Sequence, residues 1–152
     1  MLRTVQITKD GSATIAIPDM QVTYHSHHGA VQESRHVFVN AGLMHQRHRP
    51  EIEVFEMGLG TGLNALLTFE MALAQPFTVR YTSIEKFPLR VNEWSEIDYS
   101  EYIKIPDTKA CLNALHESTW HEWHKWDAKF SLHKIMGSLL EVQLPANTYH
   151  VI

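Results

Sequence analysis

Three glycines at alternate positions follow a run of mostly apolar residues near the middle of the chain. Residues 51–57 read Glu-Ile-Glu-Val-Phe-Glu-Met, Gly58, Gly60 and Gly62 come next, and an apolar helical run opens at Asn64. Because glycine has no Cβ, such a turn lets bare backbone approach a ligand at the start of a helix. The segment therefore predicts a strand, a glycine turn and a helix, which together indicate a cofactor-binding α/β domain.

The spacing of the glycines separates two classes of nucleotide cofactor. The dinucleotide fingerprint is G-x-G-x-x-G, but here the third glycine comes one position early, at Gly62, and Leu63 stands where the fingerprint needs glycine. This spacing disfavours a nicotinamide oxidoreductase, which we keep as the last of three functional hypotheses; the other two are given below. The spacing Glu56-x-Gly58-x-Gly60-x-Gly62 resembles the first motif of class I S-adenosylmethionine-dependent methyltransferases, in which an acid before the loop suits the cationic amino group of the cofactor.

A tight turn that binds no ligand is the alternative reading of the same glycines. Against this alternative, each glycine destabilises a regular element by roughly 0.5–1 kcal/mol. Three glycines would therefore weaken both the strand and the helix without serving a function. The glycine turn alone is compatible with both interpretations, and a second binding site in the sequence is needed to decide between them.

A second candidate site is the end of the next predicted strand, residues 79–85. This strand ends in Glu85, a little over twenty residues beyond the glycine turn. In doubly wound sheets an acid at this place accepts hydrogen bonds from ribose hydroxyls. The alternative is a solvated carboxylate at the strand end, paired with Lys86.

Size, charge and cysteine content limit the class of protein. The chain has 152 residues, which is enough for one domain with a real core, and its single cysteine, Cys111, excludes an internal disulfide and fits a reducing cytoplasm. No apolar run approaches the roughly 20 residues of a membrane span. We therefore expect a single cytoplasmic domain over residues 1–152 that does not enter a membrane.

The net charge of −4 is not that of a strong nucleic-acid binder. A local basic patch could still contact RNA, and Arg47-His48-Arg49 is a small candidate. A solvated loop before Pro50 explains the same residues equally well.

Hydrophobic periodicity and turn residues divide the chain into an N-terminal extension, residues 1–50, and a core, residues 51–152. In the extension we expect a hairpin around Asp10-Gly11, with a possible third strand at 22–24 and a helix over 30–43. The core is predicted to contain strands at 52–57, 79–85 and 130–136, a strand beginning at Tyr149, and helices at 64–74, 89–95, 109–116 and 139–144.

Two further clusters carry weaker signals. Trp120, Trp123 and Trp126 recur every third residue, which we interpret as an apolar helical stripe that covers the sheet rather than as a platform for stacking bases. The histidines of the segment His25-Ser-His27-His28 could converge on a metal, but no carboxylate or cysteine stands at a known ligand spacing, so we predict no metal site.

Longer blocks of the chain resemble a particular methyltransferase family. The segments 33–43, 53–67, 81–89 and 132–145 are similar to the methyltransferase domain of the tRNA 5-methylaminomethyl-2-thiouridine biosynthesis protein family, including its stand-alone relatives. The run Gly60-Thr61-Gly62-Leu63-Asn64 is more specific than the glycines alone. The resemblance extends over about residues 24–152, which is most of the chain.

The resemblance implies a fold, a cofactor and a substrate. The fold is a Rossmann-like class I methyltransferase fold of the α/β class, incomplete, with an N-terminal β-hairpin and about the first four core strands. The cofactor is S-adenosyl-L-methionine, and the reaction is methyl transfer to the aminomethyl group on the wobble uridine of tRNA. The implied cofactor-binding residues are Glu56, Gly58, Leu59, Gly60, Thr61, Gly62, Asn64, Glu85, Lys86 and Ser138.

Two departures from the family pattern modify this expectation. The family commonly has Gly-Asp after the third strand, whereas this chain has Gly137-Ser138. The acidic catalytic motif, of the type D-x-F-x-P, is expected beyond Ile152, so we predict a truncated domain that is inactive or nearly so by itself. An open sheet edge would invite self-association, and a non-catalytic cofactor-binding or assembly module is the alternative function.

Overall fold

The computed structural model describes residues 2–152 and contains two β-sheets. The smaller sheet is antiparallel and consists of β1 (Thr4–Ile7), β2 (Ala13–Ile17) and the short β3 (Val22–Thr23). The hairpin of β1 and β2 confirms the prediction from Asp10-Gly11. Every residue of β2 is buried, so this sheet packs onto the rest of the molecule instead of standing apart from it.

The helical part of the extension differs from the single regular helix that we expected. A short helix, α1 (Ala30–Ser34), continues as a π-helix over Arg35–Gly42 and a 3-10 turn over Leu43–Gln46. In a π-helix the backbone hydrogen bond connects residues five positions apart instead of four. Each turn is therefore wider, and different residues point toward the core than in a regular α-helix. Val37 is consequently exposed, whereas Val39 is buried.

The larger sheet has the order β4-β5-β7-β6, formed by β4 (Glu51–Met57), β5 (Thr78–Glu85), β6 (Trp123–Asp127) and β7 (Phe130–Met136). Strands β4, β5 and β7 are parallel, and β6 is antiparallel to β7. Val151 forms a parallel bridge with Val54 on the free side of β4, as expected for a strand beginning at Tyr149. This is the Rossmann-like α/β arrangement predicted from the sequence.

Helices connect the strands and bury one face of the sheet. Helix α2 (Leu63–Ala74) links β4 to β5, and α3 (Val91–Trp94) and α4 (Thr108–Glu117) lie between β5 and β6. The core cluster contains residues of both sheets, from Ala13 and Ile15 to Leu132 and Val151. No helix within residues 2–152 has the length and apolar character that crossing a membrane requires.

Two sequence predictions in the second half of the core were wrong. Residues 123–127 form strand β6 and not a helical turn, because their backbone completes the ladder with β7. The tryptophans therefore do not share one stripe: Trp126 packs edge-on against Phe69, whereas Trp123 stacks on His133 and is 42% exposed. Residues 139–141 form only a turn and not the predicted helix, with Glu141 N donating to Ser138 O.

A buried carboxylate joins the extension to the core. Glu70 on α2 accepts hydrogen bonds from both terminal nitrogens of Arg35, at 2.7 and 3.2 Å, and from the backbone N–H of Lys104. Arg35 also donates to the carbonyl of Tyr102 at 2.7 Å. One ion pair therefore connects the π-helix, α2 and the irregular segment that precedes α4.

We expect Arg35→Met to destabilise the protein by about 1–3 kcal/mol, because it leaves the buried Glu70 carboxylate without its bidentate partner. Arg80→Met is the matched control. Arg80 is 42% exposed, makes a single hydrogen bond to Glu53 and lies over the Trp123 ring with Cζ 4.1 Å from its centre, so about 1 kcal/mol or less is expected there. Urea unfolding of both variants measures the difference, and equal losses would contradict the role assigned to Arg35.

Candidate functional site

A cavity of about 610 Å³ opens at the carboxyl edge of β4 and β5. This volume lies within the usual range for small-molecule sites. The chain continues to β5 on one side of β4 and to the bridge at Val151 on the other, and ligands of α/β sheets bind at such a topological switch point. Its lining comes from the loop after β4, the end of β5, the start of α2 and the N-terminal extension. The predicted residues that line it are Glu56, Gly58, Leu59, Gly60, Thr61, Asn64 and Glu85.

The glycine loop and the acid at the end of β5 are in direct contact. Gly60 donates its backbone N–H to Glu85 Oε2 at 3.1 Å, and Gly58 donates to the carbonyl of Ile84 at 2.8 Å. The other carboxylate oxygen of Glu85 accepts from the backbone N–H of Phe87 at 2.8 Å. The two features on which the sequence prediction depended therefore lie side by side, and the loop is fixed to the strand that carries the acid.

Two of the three glycines meet different surroundings. Gly58 has φ +93°, and a Cβ there would point into open space. Gly62 has φ +80°, and a Cβ there would lie 2.9 Å from Leu115 Cδ2 on α4. Gly58 thus leaves room beside the cavity, whereas Gly62 does not line the cavity and instead permits close packing of the helix on the loop.

Glu56 is a buried carboxylate at the end of β4. It accepts hydrogen bonds from Asn64 Nδ2 at 3.0 Å and from Ser83 Oγ at 2.9 Å. Burial raises the pKa of Glu56 to about 7, although these hydrogen bonds act in the opposite direction. A cation placed in the cavity would favour the ionised form.

Asn64, beside Glu56, leaves hydrogen-bonding capacity unused. Its Oδ1 atom is buried without a protein partner within residues 2–152. Because buried polar atoms are normally satisfied, the side of the cavity formed by Glu56 and Asn64 suits a ligand group that carries N–H donors and positive charge.

Thr61, in the middle of the loop, is anchored by residues that sequence reasoning did not identify. The Tyr99 hydroxyl hydrogen-bonds to Thr61 Oγ1 and to the carbonyl of Ala13, each at 2.9 Å. His116 Nε2 lies 3.2 Å from the carbonyl of Thr61, and its ring stacks on Trp94 with centroids 5.3 Å apart. No local motif marks these residues, because their partners are distant in sequence.

The N-terminal extension covers the loop from the other side. The ring of Tyr24 lies so close to Gly60 that a Cβ there would be 3.0 Å from Tyr24 Cδ2. His25 and Phe38 also line the cavity, and His25 Nδ1 is 3.1 Å from Thr14 Oγ1. Within residues 2–152 no group of three His, Cys, Asp or Glu side chains is arranged to hold a metal ion.

Besides Gly62, two more of the predicted cofactor residues, Lys86 and Ser138, lie outside the cavity. Lys86 is exposed and lines a neighbouring depression, because successive side chains at a strand end point in opposite directions. Ser138 lies in the turn after β7, where its hydroxyl accepts from the backbone N–H of Leu140 at 3.3 Å. Strand β5 separates this turn from the glycine loop.

Comparison with known proteins finds relatives in several organisms. The proteins named tRNA 5-methylaminomethyl-2-thiouridine biosynthesis bifunctional protein MnmC are 34% identical over 99 residues in Pseudoalteromonas atlantica, 35% over 91 residues in Leptospira interrogans and 32% over 90 residues in Burkholderia thailandensis. These matches cover 58%, 54% and 56% of this chain, respectively, but only 14% of each relative. No family model matches the chain.

The fold is also similar to a solved structure, that of MNMC2 from Aquifex aeolicus. The TM-score is 0.67 and the sequence identity 24%, over 93% of this chain and 46% of that one. At this identity the likeness concerns the fold, and it agrees with the Rossmann-like arrangement of the larger sheet.

The glycines offer a paired test of the loop. We expect Gly58→Ala to lower the free energy of unfolding by about 1–2 kcal/mol, since alanine at positive φ is strained. Gly62→Ala should cost about 1–3 kcal/mol more, because its Cβ also overpacks against Leu115. Chemical unfolding measures both losses.

A double-mutant cycle supplies the control for Gly62. In a Leu115→Ala background the obstructing methyl groups are gone, so the cost of Gly62→Ala should fall to that of Gly58→Ala. An unchanged cost in that background would show that packing against Leu115 is not the reason for the glycine.

His116 should make stability depend on pH. Burial lowers the pKa of His116 to about 4, and the charges of Lys134 and Lys109 act in the same direction. The unfolded chain therefore binds more protons than the folded chain between about pH 6.5 and pH 4, and this group's contribution is lost as the pH falls through that window.

The variant His116→Gln keeps an N–H donor for Thr61 and removes the titration. Relative to this variant, the unfolding free energy of the wild type should fall by up to about 1.4 kcal/mol per pH unit in that window. Urea unfolding at a series of pH values measures the difference, and a difference that does not vary with pH would refute the assignment.

Proposed function

This chain belongs to the MnmC family, and from that premise we propose that it binds S-adenosyl-L-methionine and acts in methyl transfer to the aminomethyl group of a tRNA wobble uridine. The observation that carries the proposal is the contact between Gly60 N–H and Glu85 Oε2. It puts a bare-backbone loop and a carboxylate at the same wall of one cavity, which is the arrangement that a nucleoside ligand needs.

The residues of the cavity fit the parts of this cofactor. Glu56 and Asn64 would hold its cationic amino group, with the negative charge of Glu56 and the unpaired Oδ1 of Asn64 as acceptors. Glu85 would accept hydrogen bonds from the ribose hydroxyls. Gly58 would let the backbone pass close to the ligand without a side chain in between.

When bound, the cofactor would supply a methyl group made electrophilic by the sulfonium centre. The role of this chain's residues in that chemistry would be to bind and orient, since methyl transfer depends strongly on alignment of the two reactants. Tyr24, His25 and Phe38 would exclude water from the cavity on the side of the extension. We assign no proton acceptor for the substrate amine among residues 2–152, and the acidic motif expected from the family stays a prediction.

A non-catalytic cofactor-binding or assembly module is the second candidate, and the same cavity would serve it. Under this second candidate the chain would bind the same ligand but would not transfer a methyl group to undermodified tRNA. Self-association through a sheet edge belongs to this candidate and stays a prediction.

Calorimetric titration tests the proposed cofactor. We expect S-adenosylhomocysteine to bind and NAD not to bind, and we expect Glu85→Ala to weaken S-adenosylhomocysteine at least tenfold. Glu96→Ala, at an exposed position outside the cavity, should bind as the wild type does.

A truncated ligand separates the two halves of the site. Methylthioadenosine has the nucleoside but not the amino acid portion, so Glu85→Ala should weaken it as well, whereas Glu56→Gln and Asn64→Ala should weaken only S-adenosylhomocysteine. Absence of S-adenosylhomocysteine binding by the wild type would overturn the proposed function, and equal effects on the two ligands would overturn the roles of Glu56 and Asn64.

A further inference from the structure

A second depression, of about 400 Å³, adjoins the cavity. The two are neighbours along the chain and in space, because Glu85 lines the cavity and Lys86 lines the depression. Its charged side chains are Arg3, Lys86, Arg90 and Glu93. Three cations therefore face one carboxylate, in a chain whose net charge is −4.

Arg3 holds the loop that forms this depression. Its side chain is only 8% exposed, and it donates to the carbonyls of Phe87 and Pro88 at 2.6 and 3.2 Å and to Glu93 Oε2 at 3.3 Å. Glu93 Oε2 also accepts from the backbone N–H of Arg90 at 2.7 Å. Glu93, the carboxylate of the depression, is therefore engaged with Arg3, and the loop is fixed before any ligand arrives.

The outward side of the same loop remains accessible. Lys86 and Arg90 are exposed and form no ion pair within residues 2–152, and Phe87 between them is 54% exposed. Lys86 Nζ lies 5.6 Å from the centre of the Phe87 ring. We call Lys86, Phe87 and Arg90 the cationic rim.

We propose that the cationic rim holds a single-stranded segment of the RNA substrate, with Lys86 and Arg90 on its phosphates and a base stacked on Phe87. This inference rests on the proposed function, since it takes RNA as the substrate. Cations positioned on the backbone supply sequence-independent affinity, and an exposed aromatic ring offers a stacking surface to an unpaired base. A nucleotide adjacent to the stacked base would then reach the cavity beside Glu85.

The position of the rim distinguishes it from the other basic segment. Arg47, His48 and Arg49 are exposed but come immediately before β4, and the carbonyl of Pro50 accepts from Thr78 N at the start of β5. That segment is therefore at the amino edge of the parallel strands. The seven residues of β4 put roughly 20 Å of strand between it and the glycine loop.

The two basic segments form a matched pair for an experiment. Lys86→Glu with Arg90→Glu, and Arg47→Glu with Arg49→Glu, each turn two cations into two carboxylates, so the net charge changes equally. Fluorescence anisotropy with a labelled RNA anticodon stem–loop carrying an unpaired uridine measures affinity over a series of salt concentrations. Titration with S-adenosylhomocysteine checks that each variant retains the cofactor site.

We expect the rim variant to lose at least tenfold in RNA affinity and the magnitude of its salt slope to fall by about 1.5, because two phosphate contacts are removed. Phe87→Ala should lose roughly tenfold with an unchanged salt slope, since a stacking contact carries no charge. The Arg47/Arg49 variant should lose less than twofold. A fully paired RNA duplex should compete poorly.

Four results would each contradict RNA binding by the cationic rim. They are no RNA binding by the wild type, an unchanged RNA affinity of the rim variant, equal losses of RNA affinity in both charge-reversed variants, or equal competition by the duplex. Failure of the proposed cofactor would be seen separately, as absent S-adenosylhomocysteine binding in a protein whose RNA affinity still depends on the rim.

Discussion

The hydrogen bond from Gly60 N–H to Glu85 Oε2 is the contact on which the rest of the site depends. It can form only because β4 and β5 run parallel and in register, so that their carboxyl ends reach the same edge of the sheet. Helix α2 imposes this geometry, since a parallel pair needs a crossover connection. The sheet order thus brings together two residues that are 25 positions apart in sequence, and both line the cavity.

Rigidity of the loop comes from elements outside the strand–turn–helix unit. Tyr99 joins Thr61 to the carbonyl of Ala13 in the small sheet, and His116 joins the same threonine to α4. Because these contacts exist before a ligand binds, less conformational entropy remains to be lost on binding. The N-terminal extension is therefore part of the site, through its support of Thr61 and through the ring of Tyr24 over Gly60.

Sequence reasoning succeeded where the signal is local. The β4–α2–β5 unit follows from apolar alternation, glycine spacing and helical periodicity within 35 residues, 51–85, and the adjacency of the glycine loop and Glu85 follows from the topology. It failed at residues 123–127, where the period-three tryptophans imitate a helix but the chain completes a ladder with β7. It missed Tyr99 and His116 because their partner, Thr61, is 38 and 55 positions away, and no short motif encodes such contacts.

Glu56 links the stability of the free fold to the negative charge that the proposed cofactor site requires. Its pKa is raised to about 7 by burial, so the folded chain holds a proton that the unfolded chain releases near pH 4.5, and this group's contribution to stability falls as the pH rises from about 4.5 to 7. The hydrogen bonds from Asn64 and Ser83 limit that loss without removing it. A cationic ligand group beside Glu56 would lower the pKa again and recover the free energy on binding. Under the proposed function, the carboxylate that weakens the free fold would therefore strengthen the liganded one.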